Sequence, residues 1–293
     1  MTVKYSYRTI FALPVLLILA TVAQGQDLAE ASEGTLSVRK SSVLVNGIDL
    51  HYRLIGEGSP VLLLHGFSGA GSWWDSLIED FAKQNTLIIP DLPAHGQSTG
   101  HDGPYLYSQV AQDLFALMDY LQIDNFNAIG YSAGGQILLH LATQEPSRVK
   151  AMILVSSIHR IPDEIRDILA QWPDLEDNPP SVQEYWQRTH PGGDDQIRSL
   201  IEDLRSLSSY NGNVEFAADQ LADISARTLL VVGDSDVFVP LHLALEMRRA
   251  IYDSNIWVIP LQGHSAIWPD WGGSPDARAA FPSIANAFLN ESN

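Results

Sequence analysis

Apolar and polar positions alternate along the chain in two rhythms. Short apolar runs at Val61–Leu64, Thr86–Ile89, Phe126–Ile129, Val149–Val155, Thr228–Val232 and Ile256–Ile259 have the length of buried strands. Between and after them come stretches with helical spacing: Ser72–Ala82, Tyr107–Leu121, Gln136–Thr143, Leu241–Ala250 and Phe281–Leu289. In Tyr107–Leu121, for example, Val110, Leu114, Leu117 and Leu121 fall on one face. Ahead of these, Ser42–Val45 and Ile48–Leu54 flank Asn46-Gly47, a two-residue hairpin signal. Strands that alternate with helices pair in parallel and are buried on both faces. The pattern predicts an α/β fold with a mostly parallel central sheet flanked by helices.

The rhythm breaks near Ser156. Ile158–Leu221 is polar, with helical stretches separated by turn clusters at Asp177-Asn178-Pro179-Pro180 and Pro191-Gly192-Gly193. This predicts a helical cap inserted into a single domain. At the start, Lys4 and Arg8 precede the apolar run Ile10–Ala20, which gives way to small and polar residues at Thr21–Gln26. Basic, then apolar, then small is the order of a secretory signal peptide. The expected cleavage follows Gly25, leaving residues 26–293 as the mature domain. The run is shorter than the ~20 residues a membrane span needs and contains Pro14, so no stable membrane anchor is expected after cleavage. The expected destination is the periplasm or the medium. The absence of cysteine leaves the two equally open.

Charge narrows the partners. The formal charge is −18, from 17 basic and 35 acidic residues. A chain this acidic repels nucleic acid and anionic lipid, which require basic patches. Between Arg160 and Asp223 stand 14 acidic residues against five arginines, read here as a solvated face of the predicted cap. No cysteine, H-E-x-x-H or strand-following G-x-G-x-x-G is present, so neither a metal nor a nucleotide cofactor is expected.

The chemistry concentrates at four loops. Gly130-Tyr131-Ser132-Ala133-Gly134 is a G-x-S-x-G sequence between a predicted strand and a predicted helix, the context in which its serine becomes a nucleophile. Gly263-His264 follows the last predicted strand, where a general base is expected in the order serine, acid, histidine. His101, His159, His190 and His242 have no motif around them. The acid should follow Thr228–Val232, where Asp234 and Asp236 compete. Asp236 is preferred as the residue that orients His264, and Asp234 as a turn former. A fourth loop, His65-Gly66-Phe67, also follows a strand. The N–H groups of Phe67 and Ala133 are the expected oxyanion donors, and His65 is expected to hold its loop by hydrogen bonding.

These motifs, together with Asp91-Leu92-Pro93-Ala94-His95-Gly96-Gln97-Ser98, occur in an order that resembles the α/β-hydrolase superfamily, and the likeness runs from Ile48 to Leu289. The resemblance implies a Ser132–His264–Asp236 triad and an oxyanion hole from Phe67 and Ala133. It also implies a structural Asp91–Ser98 loop, in which His95 bonds neighbouring backbone, and a cap over the site. Tyr131 departs from the residues common at its position, and the Trp-rich stretch from Ser265 to Gly273 is longer than is usual. Tyr131 and Trp268 are the expected pocket residues. Phe67, Trp73, Trp74 and Trp271, with Trp172, Tyr185, Trp186, Tyr210 and Phe216 of the predicted cap, suggest an apolar pocket. The expected function is hydrolysis of a small apolar carboxylic ester or lactone through an acyl-Ser132 intermediate. The alternatives are a carbon–carbon bond hydrolase of the same fold, towards which Trp268 points, and a non-catalytic ligand-binding protein.

Overall fold

The computed structural model describes residues 38–209 and 214–291; the expected leader and Tyr210 lie outside them. β1 (Val38–Val45) and β2 (Ile48–Ile55) form the hairpin signalled by Asn46-Gly47. Both turn residues have positive φ, 48° and 89°, the backbone that lets a two-residue turn follow the strand twist. β3 (Ser59–Leu64), β4 (Asn85–Pro90), β5 (Phe126–Tyr131), β6 (Val149–Val155), β7 (Arg227–Gly233) and β8 (Ser254–Ile259) run parallel to one another. The sheet order is β1-β2-β4-β3-β5-β6-β7-β8, with β1 and β2 antiparallel to their neighbours. β7 is buried at every position, as a strand covered on both faces must be.

Helices cover both faces. A 3₁₀ segment, Gly71–Leu77, leads into α1 (Ile78–Phe81); α2 (Tyr107–Tyr120) and α3 (Ala133–Gln144) follow. The periodicity of Ser72–Ala82 predicts one helix, but the buried residues Gly71, Trp74 and Leu77 recur every three positions, which suits three residues per turn. After β6 come α4 (Asp163–Ala170), α5 (Pro180–Thr189), α6 (Asp194–Ser206) and α7 (Ala218–Ala222). α8 (Leu241–Ala250) and α9 (Pro275–Asn290) complete the set among the described residues. α2, α3 and α8 pack on one face of the sheet, the 3₁₀ segment, α1 and α9 on the other. α9 starts before the expected Phe281: Ser274 accepts the Ala277 N–H at 3.1 Å and Pro275 takes the first turn, while Pro282 sits within the helix.

The segment between β6 and β7 has a small core of its own, built on Leu175, Val182, Trp186, Ile197 and Ile201. Its two ends meet at an antiparallel bridge between Arg160 and Glu215, beside a 2.9 Å bond from the Phe216 N–H to the His159 carbonyl. Arg160 also pairs with Glu246 of α8 at 3.2 Å, tying this base to the sheet's helical layer.

Candidate active site

β5 turns into α3 through a single residue, Ser132, with φ 52° and ψ −117°. A non-glycine residue held there stores about 1–3 kcal/mol of strain. The turn is tight: a Cβ on Gly130 would lie 2.5 Å from the Gly134 carbonyl oxygen, and one on Gly134 2.5 Å from that of Leu64. Glycine at both positions therefore lets β5, α3 and the end of β3 converge. The Ser132 N–H bonds the Val155 carbonyl at 2.9 Å, and the Ser157 hydroxyl donates to the Ser132 carbonyl at 3.0 Å, which fixes the strained residue from β6.

Two loops at the same end of the sheet complete the constellation. His264, after β8, has Nε2 3.0 Å from Ser132 Oγ and Nδ1 2.9 Å from Asp236 Oδ2, on the loop after β7. A carboxylate oxygen only accepts, so Nδ1 carries the proton and Nε2 is left to receive that of Ser132. Asp236 Oδ1 accepts the N–H groups of Phe238 at 2.9 Å and Val239 at 3.0 Å, so the loop's own backbone orients the carboxylate. Asp234 is exposed, and among the described residues its carboxylate accepts only the Ser235 hydroxyl.

Phe67 lies in a four-residue turn closed by the Gly69 N–H on the Gly66 carbonyl at 3.2 Å. Its own N–H takes no part in that bond, and the Ala133 N–H is at the start of α3, where no carbonyl precedes it. Both residues border the cavity that holds Ser132 and His264. Behind this turn, His65 Nε2 accepts the Leu92 N–H at 2.9 Å, so Nδ1–H donates to the Gly66 carbonyl at 2.8 Å. Burial pushes His65 down to about 4, keeping it neutral in this role. Burial works against ionisation of Asp91 too, but His51 and the N–H groups of Gln97 and Gly71 outweigh it and hold the carboxyl well below its usual range.

The cavity above Ser132 is apolar. Phe67, Trp73, Tyr131, Phe238 and Trp271 border it from the sheet domain. Ile165, Leu169, Trp172, Tyr185, Leu204 and Leu207 border it from the segment between β6 and β7. Tyr131 lies where the sequence suggests, its phenol pushed up by burial and its ring 5.3 Å from that of His264. Trp268 does not reach the cavity. Its N–H bonds the Ser265 carbonyl at 2.8 Å, and that turn sends the indole back against Tyr131, 4.3 Å away, and Trp74. The next turn brings Trp271 to the wall instead. Trp74 and Trp186 are core residues, and Phe216 packs on His140 at 4.7 Å. Sequence reasoning misses Phe238, whose only signal is its place two residues after Asp236, and Tyr107, at the start of α2.

A family model described as the alpha/beta hydrolase fold matches residues 59–190. The chain is 26% identical over 249 residues to a protein of Azorhizobium caulinodans named as a carbamate hydrolase, RutD, covering 76% of this chain and 91% of that one. It is 25% identical over 248 residues to the 2-hydroxy-6-oxo-2,4-heptadienoate hydrolase of Pseudomonas putida, covering 76% and 88%. The crystal structure of MGS-M2, an alpha/beta hydrolase enzyme from a Medee basin deep-sea metagenome library, superposes with a TM-score of 0.71 at 18% identity, over 86% of this chain and 98% of that one. With a family match running from β3 to the end of α5, on a sheet that superposes with that of a solved alpha/beta hydrolase over most of its length, the chain has the α/β-hydrolase fold.

Proposed function

We propose that the protein is a serine hydrolase that cleaves a neutral, apolar carboxylic ester or lactone. The observation that carries this reading is the hydrogen-bonded series Ser132–His264–Asp236 opening onto an apolar cavity whose wall, among the described residues, holds no lysine or arginine. In the first half-reaction Ser132 Oγ attacks the carbonyl carbon while His264 Nε2 takes its proton, and Asp236 holds the resulting imidazolium. The carbonyl oxygen, now negative, is met by the N–H groups of Phe67 and Ala133. His264 returns the proton to the leaving alkoxide, and an acyl-Ser132 ester remains. Water, deprotonated by His264, then displaces the acyl group as a carboxylic acid. The segment between β6 and β7 serves as a cap whose apolar side chains select the substrate.

Two features weigh against carbon–carbon bond hydrolysis. A dienoate carries a carboxylate, and drawing one into a cavity without a cationic partner costs several kcal/mol. Trp268, the residue that points to that branch, is also turned away from the cavity. A purely ligand-binding role has no use for a hydrogen-bonded serine, histidine and aspartate.

A panel of p-nitrophenyl acyl esters, lactones and a meta-cleavage dienoate, run on wild type and Ser132→Ala, tests the proposal. The expected result is turnover of esters or lactones that vanishes in Ser132→Ala, with none on the dienoate. Undiminished ester turnover in Ser132→Ala, or turnover of the dienoate alone, overturns it.

A further inference from the structure

Three neutral histidines gather behind the Gly66–Gly69 turn. Ring centroids lie 5.3 Å apart for His65 and His95, and 6.1 Å apart for His95 and His190. Two of the three belong to the sheet domain's own loops. His190 does not: it follows α5, in the segment between β6 and β7, and it is fully buried. Its Nδ1 accepts the Gly96 N–H at 3.1 Å, so Nε2 carries the proton and donates to the Ser68 carbonyl at 3.0 Å. Burial keeps its pKa below the usual histidine range, in line with one fixed tautomer.

Ser68 is a strained residue. It occupies the third position of the turn with φ 61°, a left-handed conformation that non-glycine residues adopt only when their surroundings hold them. The turn's own bond runs from Gly69 to Gly66 and does not engage the Ser68 carbonyl. The imidazole of His190 does. The residue just before Ser68 is Phe67, whose N–H is the oxyanion donor in the reading above, and the Phe67 ring packs edge-on to His95 at 4.8 Å. A rotation of the peptides around Ser68 would carry that N–H away from the carbonyl oxygen of a substrate on Ser132.

We propose that His190 is a positioning residue for the oxyanion hole, by which the segment between β6 and β7 holds Ser68 left-handed and keeps the Phe67 N–H aimed at the reacting carbonyl. The oxyanion hole is then complete only while this segment is seated. Gln196 of α6 reinforces the seat from one side, donating to the carbonyls of Ala94 at 2.8 Å and Gly96 at 3.0 Å, but it makes no bond to the turn itself. The inference rests on the proposed oxyanion role of Phe67 and concerns how that role is maintained.

The test separates the two bonds of the imidazole. His190→Gln keeps a donor near the place of Nε2; His190→Asn keeps only an acceptor near that of Nδ1; His190→Phe keeps neither. With p-nitrophenyl butyrate, the Phe and Asn variants should lose about 10- to 100-fold in kcat with KM within about threefold, since removing an oxyanion donor outright costs about 10²–10³. The Gln variant should stay within about fivefold of wild type. Affinity for an alkyl trifluoromethyl ketone, which forms an oxyanion on the serine, should fall in parallel with kcat. Ser68→Gly, which is at ease with positive φ, should recover part of the loss when combined with His190→Phe. If the Phe variant does not fold, the Gln and Asn pair and Ser68→Gly carry the same comparison. Overturning results are wild-type kcat in the Phe and Asn variants, a loss confined to KM, or a loss in Gln equal to that in Asn. Loss of all turnover in Ser132→Ala alongside any of these leaves the hydrolase reading standing and removes only this inference.

Discussion

Asp236 Oδ2 meets His264 Nδ1 at 2.9 Å, while Asp234, two residues earlier on the same loop, accepts the hydroxyl of its neighbour Ser235. The two carboxylates are alike in sequence and unlike in surroundings: Asp236 is buried against three donors, Asp234 faces solvent. In a serine protease, the aspartate-to-asparagine change at the orienting position costs about 10⁴ in kcat because the imidazole takes the wrong tautomer. Asp236→Asn should lose a comparable factor and Asp234→Asn less than about threefold. Steady-state kinetics on the two purified variants decides this, and a severe loss in Asp234→Asn alone would reverse the assignment.

Trp172 and Trp186 lie 14 residues apart and do different things. Trp172 borders the cavity; Trp186 is buried in the small core of α5 and α6. Trp172→Ala should therefore shift the preferred acyl chain to longer esters, each extra buried methylene being worth about 0.8 kcal/mol, or roughly fourfold in kcat/KM. Trp186→Ala should instead lower stability by about 3–5 kcal/mol and leave the profile's shape unchanged. A chain-length series of p-nitrophenyl esters with thermal melts reads both, and identical profiles in wild type and Trp172→Ala contradict the first.

Burial, with Glu202 nearby, raises the Asp203 carboxyl to about 6. The unfolded chain ionises this group near 3.9, so the folded state holds the proton more tightly, and its stability declines as pH rises between those values. Above pH ~6 the full cost is present. Asp203 is only partly buried, so solvent screening leaves roughly 1 kcal/mol of the nearly threefold larger value the shift alone would give. Asp203→Asn should be more stable than wild type by about this amount at pH 8 and by almost nothing at pH 4. Urea denaturation at the two pH values measures the difference, and an equal gain at both would assign it to something other than this carboxyl.

The leader pattern from Lys4 to Gln26 motivates a proposal about the mature chain. Protein recovered from its native host should begin near Gln26. Amino-terminal sequencing that returns Met1 or Thr2 would contradict cleavage.

Sequence pattern is a good guide where one residue's environment repeats over a whole element. Val149–Val155 and Leu241–Ala250 form as predicted because a strand buried on both faces reads as an unbroken apolar run and a helix as a 3.6-residue stripe. The four chemistry-bearing loops are legible for a similar reason: each follows a strand, and the sheet brings strand ends together. The pocket is less legible. Whether Trp268 or Trp271 reaches it depends on the direction of the turn after His264, which one backbone bond to Ser265 sets and no side-chain pattern records. His190 leaves no motif because both its partners, the Gly96 N–H and the Ser68 carbonyl, are backbone atoms that any residue could supply.

The apolar wall would also shape the fate of the proposed acyl group on Ser132. Phe238, Trp271 and Leu204 offer a water molecule few partners, so a small alcohol is better solvated there than water is. The acyl group then partitions between two acceptors by their local rather than bulk abundance. On the proposed acyl-Ser132 route, dilute aqueous alcohol should give a product mixture enriched in the new ester beyond the ratio of the two solvents, an acyl transfer beside the proposed hydrolysis.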